Sequence, residues 1–136
     1  MIEVNCQGCP LHCCGMNPQL TPVLLPSEEG KFEGKTKIVE THFRSMSLLA
    51  RKETGNCIFL DEKTNRCTNY DERPLECRLF PFLLDFGENG PGVRLDTQNC
   101  PRLNTLDYNK QEIRATLKKY QFPKEWIEGY LSLTGV

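Results

Sequence analysis

The chain has 136 residues, 17 basic against 18 acidic side chains, a net charge of −1 and 38% hydrophobic residues. With no basic face or arm, nucleic acid has no electrostatic claim on it, and its short apolar runs fall well below the ~20 residues of a membrane span. That length suits a single domain over 1–136, and nine prolines with ten glycines indicate a small, loop-rich core.

In chain order, residues 1–18 form a first cysteine block, Cys6-x2-Cys9-x3-Cys13-Cys14, rich in turn formers. Residues 19–56 hold β-like runs at Thr21–Leu25, Lys37–Phe43 and Ser47–Arg51, with Pro26-Ser27-Glu28-Glu29 suited to start one short helical turn. The second block spans 57–101. In it, Cys57–Leu60 and Arg66–Thr68 read as a hairpin around Glu62-Lys63-Thr64-Asn65. Leu83–Phe86 and Val93–Leu95 read as another around 88–92. Residues 104–133 read as helical. Asn104 or Thr105 is placed to cap a helix over Leu106–Tyr120, with Leu106, Ile113, Leu117 and Tyr120 on one face. Phe122-Pro123 breaks it, and Pro123 opens a second helix carrying Trp126, Ile127, Tyr130 and Leu131. The expected fold is α+β: short antiparallel hairpins around cysteine-ligated metal, followed by C-terminal helices.

Eight cysteines, Cys6, Cys9, Cys13, Cys14, Cys57, Cys67, Cys77 and Cys100, carry the chemistry. A disulfide scaffold would suit a secreted chain. Met1-Ile2-Glu3-Val4 has no basic n-region, apolar h-region or cleavage site, so a cytoplasmic protein with reduced thiols is expected. Adjacent Cys13 and Cys14 suit a compact multi-thiolate site. A Cys-x2-Cys turn brings two sulfurs together, Gly8 allows positive φ inside it, and Pro10 and Pro101 fix the chain after Cys9 and Cys100. The spacing matches neither the ferredoxin run, nor paired zinc-ribbon knuckles, nor the C-x3-C-x2-C of radical S-adenosylmethionine enzymes. Four thiolates suit tetrahedral zinc and a [4Fe–4S] cluster alike, and eight suffice for one site or two.

Read together, Cys6-x2-Cys9-x3-Cys13-Cys14 and the run from Cys57 through Cys67 to Arg73-Pro74-Leu75-Glu76-Cys77-Arg78-Leu79-Phe80-Pro81-Phe82 resemble the YkgJ-type cysteine-cluster family, described as zinc- or iron-chelating proteins. Flagellin lysine methylases carry a similar module, believed to hold an iron–sulfur cluster. The resemblance implies that Cys6, Cys9, Cys13, Cys14, Cys57, Cys67 and Cys77 are ligands, with Cys100 the eighth by position and count. It fixes no reaction. The short β-like runs over 19–56 also depart from the longer helix many members place there.

Around the thiols, Arg73 and Arg78 are candidates to offset thiolate charge, or to pair with Asp71, Glu72 or Glu76 at the surface. Phe59, Phe80, Phe82 and Phe86 are candidates to shield a cluster or to form core. His12 and His42 are further candidate ligands, and Tyr70 and Asp71 candidate acid–base groups. No phosphate loop, dinucleotide fingerprint or Ser/His/Asp set is present, so no catalytic residue is assigned and an enzyme is the weaker expectation. Three function classes follow. The first is an iron–sulfur protein of the [4Fe–4S] type, favoured over zinc by the clustered sulfurs, the two Cys-Pro pairs and the family resemblance, for electron transfer or redox and oxygen sensing, docked on a larger cytoplasmic or membrane-associated enzyme. The second is a zinc-held interaction module. The third is an accessory of a methyltransferase-type enzyme. Trp126 and Tyr130 are the residues expected to serve docking.

Overall fold

The computed structural model describes residues 21–134 apart from positions 89, 99 and 101. Cys6, Cys9, Cys13, Cys14, His12 and the turns expected at 1–18 therefore lie outside the described residues. The described chain is mixed α+β, with three two-stranded antiparallel sheets and three α-helices.

The first hairpin joins β1 (Thr36–Glu40) to β2 (Ser45–Leu49), with Thr36 opposite Leu49 and Glu40 opposite Ser45. The strand stops at Glu40 because Thr41 closes the turn. Its hydroxyl donates to the Arg44 carbonyl at 2.8 Å and accepts from the Phe43 and Arg44 N–H groups. His42 and Phe43, expected within a strand, are exposed turn residues instead. The run at Thr21–Leu25 adds only one bridge, Val23 to Leu48, flanked by hydrogen bonds from Leu24 N–H to Ser47 and from Leu49 N–H to Pro22. The turn expected after Pro26 is a 3-10 turn over Glu29–Phe32.

The second hairpin is short, β3 (Leu60–Asp61) with β4 (Arg66–Cys67), and turns where the sequence places it. Asp61 accepts the Lys63 N–H on its carboxylate and the Asn65 N–H on its carbonyl, and Asn65 takes the positive φ (58°) that Asn tolerates. After a 3-10 turn at Tyr70–Glu72 comes α1 (Leu75–Leu79). This helix has five residues, too few to show a period in the sequence. The third hairpin pairs β5 (Phe82–Gly87) with β6 (Gly90–Leu95), longer than the expected strands, with Gly90 at φ 92° closing a tighter turn.

The C-terminal helices are α2 (Lys110–Lys118) and α3 (Lys124–Thr134). Neither Asn104 nor Thr105 caps α2. Thr105 is consumed in a 3-10 turn, where its hydroxyl donates to Arg102, and Asn109 is the cap, its Oδ1 accepting from Gln111 and Glu112. The helix therefore starts well after Leu106, at Lys110. Pro123 does lead into α3, its carbonyl accepting the Ile127 N–H.

Two apolar clusters organise these elements. The larger gathers Val23, Leu25, Met46, Leu75, Leu79, Phe82, Leu84, Ile113, Leu117, Trp126 and Tyr130. Trp126 has no solvent exposure, and its indole N–H donates to the Leu24 carbonyl at 2.9 Å. Trp126 and Tyr130, expected at a docking surface, are core residues, because α3 lies with that face against β2 and the segment before it. The smaller cluster holds Leu24, Phe32, Leu49, Cys57, Phe59 and Leu60, with Ile58, Cys67 and Cys77 against it.

The approach of α3 to β2 is close enough to test. A Cβ on Gly129 would stand 2.6 Å from Met46 Sδ and 3.3 Å from Thr41 Oγ1, and Met46 is fully buried. An exposed helical Gly→Ala change gains roughly 1 kcal/mol, whereas overpacking costs about 1–3 kcal/mol. Gly129→Ala is therefore expected to lower the stability by about 1 kcal/mol in chemical denaturation, and to become stabilising in a Met46→Ala background. A Gly129→Ala protein that melts above the parent would contradict this packing.

Candidate metal centre

Three of the eight cysteines come together in the smaller cluster, each delivered by a different local device. Cys57 is buried beside the first hairpin, bridged to Arg51, whose guanidinium is tied to Gly55 and Thr21. Cys67 ends β4 directly opposite Leu60, so the tight Asp61–Asn65 turn sets its position. Cys77 sits in the middle of α1. Leu75 and Leu79 are four residues apart, share one helix face and enter the larger cluster. Cys77, two residues from each, projects from the opposite face into the smaller one. The helix therefore lies between the two clusters.

The three thiols share one environment, the smaller apolar cluster. Burial pushes the Cys67 thiol up, an N–H from Asn69 draws it down, and the charge of Cys57 raises it again. Burial pushes Cys77 well above the ordinary thiol range, and Cys57, Glu76 and Cys67 add to the rise. Arg73 is the cation that opposes this at both cysteines. It is held 3.7 Å over the Tyr70 ring while its Nε donates to the Tyr70 carbonyl at 2.7 Å. Tyr70 thus serves to seat Arg73, and Asp71 beside it is exposed.

Such a set is chemically matched to a metal. Three soft donors in an apolar surround, with one guanidinium against three potential thiolates and a carboxylate, are relieved by a cation or a cationic cluster core. The set is not complete by itself. Among the described residues, no group of three or more His, Cys, Asp or Glu side chains closes to hold a metal ion. Cys100 is a half-buried free thiol outside the smaller cluster.

Other candidates separate. Phe59 lies among the thiols, edge-on to Phe32 and under Lys35, whereas Phe82 and Phe86 pack in or against the larger cluster. Arg78 is directed to Tyr120, donating to its hydroxyl, with its Nε buried and unpartnered among the described residues. Glu76 does not pair with either arginine at the surface. Its carboxylate accepts from the Val23 N–H and the Tyr130 hydroxyl, both at 2.7 Å. Burial raises its pKa to about 7 against the pull of those two donors, and raises that of Tyr130 as well. Glu28, expected as a first-turn acid, is buried beside it, accepting from the Leu25 and Leu75 N–H groups. Neither inward carboxylate announces itself in the sequence, since Glu in a polar turn or a short charged run ordinarily faces water.

A profile of the CxxCxxCC family, described as a "putative zinc- or iron-chelating domain", matches residues 5–115. The chain belongs to the CxxCxxCC family. The match takes in both cysteine blocks, so metal binding, to zinc or iron, is the property that this CxxCxxCC protein shares with its family. It departs from the family name in one detail: three residues, not two, separate Cys9 from Cys13. The uncharacterized protein MJ0661 of Methanocaldococcus jannaschii is 61% identical over 28 residues, which are 21% of this chain and 15% of that protein. The chain thus spans a small part of that relative's length. No solved structure matches. Among the described residues no helix is long and apolar enough to cross a membrane.

Proposed function

We propose that this CxxCxxCC protein holds an iron–sulfur cluster of the [4Fe–4S] type, with thiolates drawn from both cysteine blocks, and serves electron transfer or redox and oxygen sensing for a larger enzyme. The observation that carries the reading is the convergence of Cys57, Cys67 and Cys77 on one apolar cluster beside Arg73. A cluster would supply a one-electron couple there. Burial, the Phe59 ring and the Arg73 charge are features that tune such a couple. The fourth ligand is assigned to the block at Cys6, Cys9, Cys13 and Cys14. The described chain starts on this side of the fold, with Thr21 bonded to Arg51 and Leu24 packed among the thiols. The partner contact does not use Trp126 or Tyr130, which are core.

Zinc is the second reading, favoured by the number of gathered thiols: three plus one from the first block make a tetrahedral site of four thiolates. Anaerobic purification with metal and sulfide analysis separates the two. Iron with matching acid-labile sulfide, and a broad visible absorption that bleaches with dithionite or on exposure to air, is expected. Stoichiometric zinc with a featureless visible spectrum would replace the iron–sulfur reading with the zinc one.

A further inference from the structure

The two inward carboxylates hold α1 in a specific way. Glu28, 6% exposed, accepts from the Leu25 N–H at 3.0 Å and from the Leu75 N–H at 2.7 Å. Glu76 accepts from the Val23 N–H and the Tyr130 hydroxyl, each at 2.7 Å. The first two residues of α1 are therefore tied to Val23 and Leu25, either side of the Leu24 that packs among the thiols. A five-residue helix has no stability of its own, so its orientation is set by what grips it. Leu75 and Leu79 grip it through apolar contact, which tolerates small rotations. Four directed hydrogen bonds to two carboxylates do not. Burying Glu28 and half-burying Glu76 is costly, and apolar side chains of similar volume would often stabilise a fold as well or better. The geometry these acids impose is what an apolar pair would not supply.

We infer that Glu28 and Glu76 are positioning residues for the thiol centre, locking α1, and with it Cys77, against the segment that leads from the first cysteine block. Their functional meaning rests on the metal-binding reading, and their geometric effect does not. Glu28→Gln puts an amide NH2 against a backbone N–H and is the disruptive variant. Glu76→Gln still accepts from Val23 and can donate to the Tyr130 oxygen, so it is the milder one.

The experiment uses the full chain and two readouts. Metal-free protein is alkylated with iodoacetamide, and the rates at Cys57, Cys67 and Cys77 are resolved by peptide mass spectrometry. Zn2+ affinity is measured separately by competition with a chromophoric chelator. For Glu28→Gln, the Cys77 rate is expected to rise several-fold relative to Cys57, with Zn2+ affinity falling about 10- to 100-fold, the usual range for partners that orient a ligand. Glu76→Gln is expected to move both in the same direction by less. Ile113→Ala in α2, a core change remote from α1 in sequence, is the control: it lowers the melting temperature while leaving the Cys77-to-Cys57 ratio unchanged. Rates that rise in parallel at all three thiols, in both glutamine variants as in the control, would overturn the assignment. So would an unchanged ratio and affinity in a folded Glu28→Gln. If Glu28→Gln does not fold, Glu76→Gln decides. If the parent protein takes up no Zn2+ or iron, the metal reading fails, and the alkylation ratio still decides the positioning role.

Discussion

Trp126→Ala is expected to destabilise the protein by about 3–5 kcal/mol, the range for removing a fully buried aromatic. The indole has no exposure and stacks on Tyr130 with ring centroids 5.0 Å apart, with Phe122 at 5.9 Å and Phe86 at 6.1 Å. Truncation opens a cavity the size of a ring system and orphans the Leu24 carbonyl, which adds to the loss. Trp126→Phe keeps most of the packing and should cost much less. Urea denaturation measures both, and because Trp126 is the single tryptophan of the chain, its blue-shifted emission in the parent reports the same core directly. A Trp126→Ala protein with the parent's midpoint would return this residue to the surface role the sequence suggests.

Removing the metal is expected to cost several kcal/mol of stability, and Cys77→Ser to remove most of the metal. The physical basis is that Cys57, Cys67 and Cys77 come from three separate local structures whose apolar cluster is small. A shared metal closes the loops between them in the folded state, and its binding free energy becomes folding free energy. Without it, burial favours the neutral thiols of Cys67 and Cys77, and the neighbouring cysteine charges oppose their ionisation further. Cys9→Ser is expected to act in the same direction. Metal analysis together with thermal unfolding, before and after chelation, checks this. A Cys77→Ser protein with full metal content and the parent's unfolding curve would remove Cys77 from the ligand set.

Some of the architecture was legible from local signals alone. The hairpin ending at Cys67 follows from turn residues between two β-prone runs, and the β5–β6 hairpin from the turn formers of 88–92, although Pro91 and Gly92 join β6 rather than the turn. Ile113 with Leu117, and Trp126 with Tyr130, are recognisable by their four-residue spacing, and all four are buried. Other elements gave misleading local signals. Asn104 and Thr105 read as caps for a helix from Leu106, yet Leu103–Thr105 form a 3-10 turn and Asn109 caps α2. The short α1 has no room for a period, and two of the four hydrogen bonds that hold it go to Glu28, 47 positions before the Leu75 N–H it accepts.

By itself the sequence determined the membership in a metal-chelating family and the eight sulfurs on offer, because thiolate chemistry is written in residue type and spacing. It also determined that the fold would be hairpins and helices, because turn chemistry and apolar period act over a few residues. Only the tertiary structure decided that Cys57, Cys67 and Cys77 meet, that Arg73 opposes their charge, and that Trp126 and Tyr130 face inward. Each of these depends on contacts between segments far apart in the chain, as far as the 102 positions between Trp126 and Leu24. Burial is a property of such contacts: a carboxylate or an indole carries no mark of whether water or another segment will cover it.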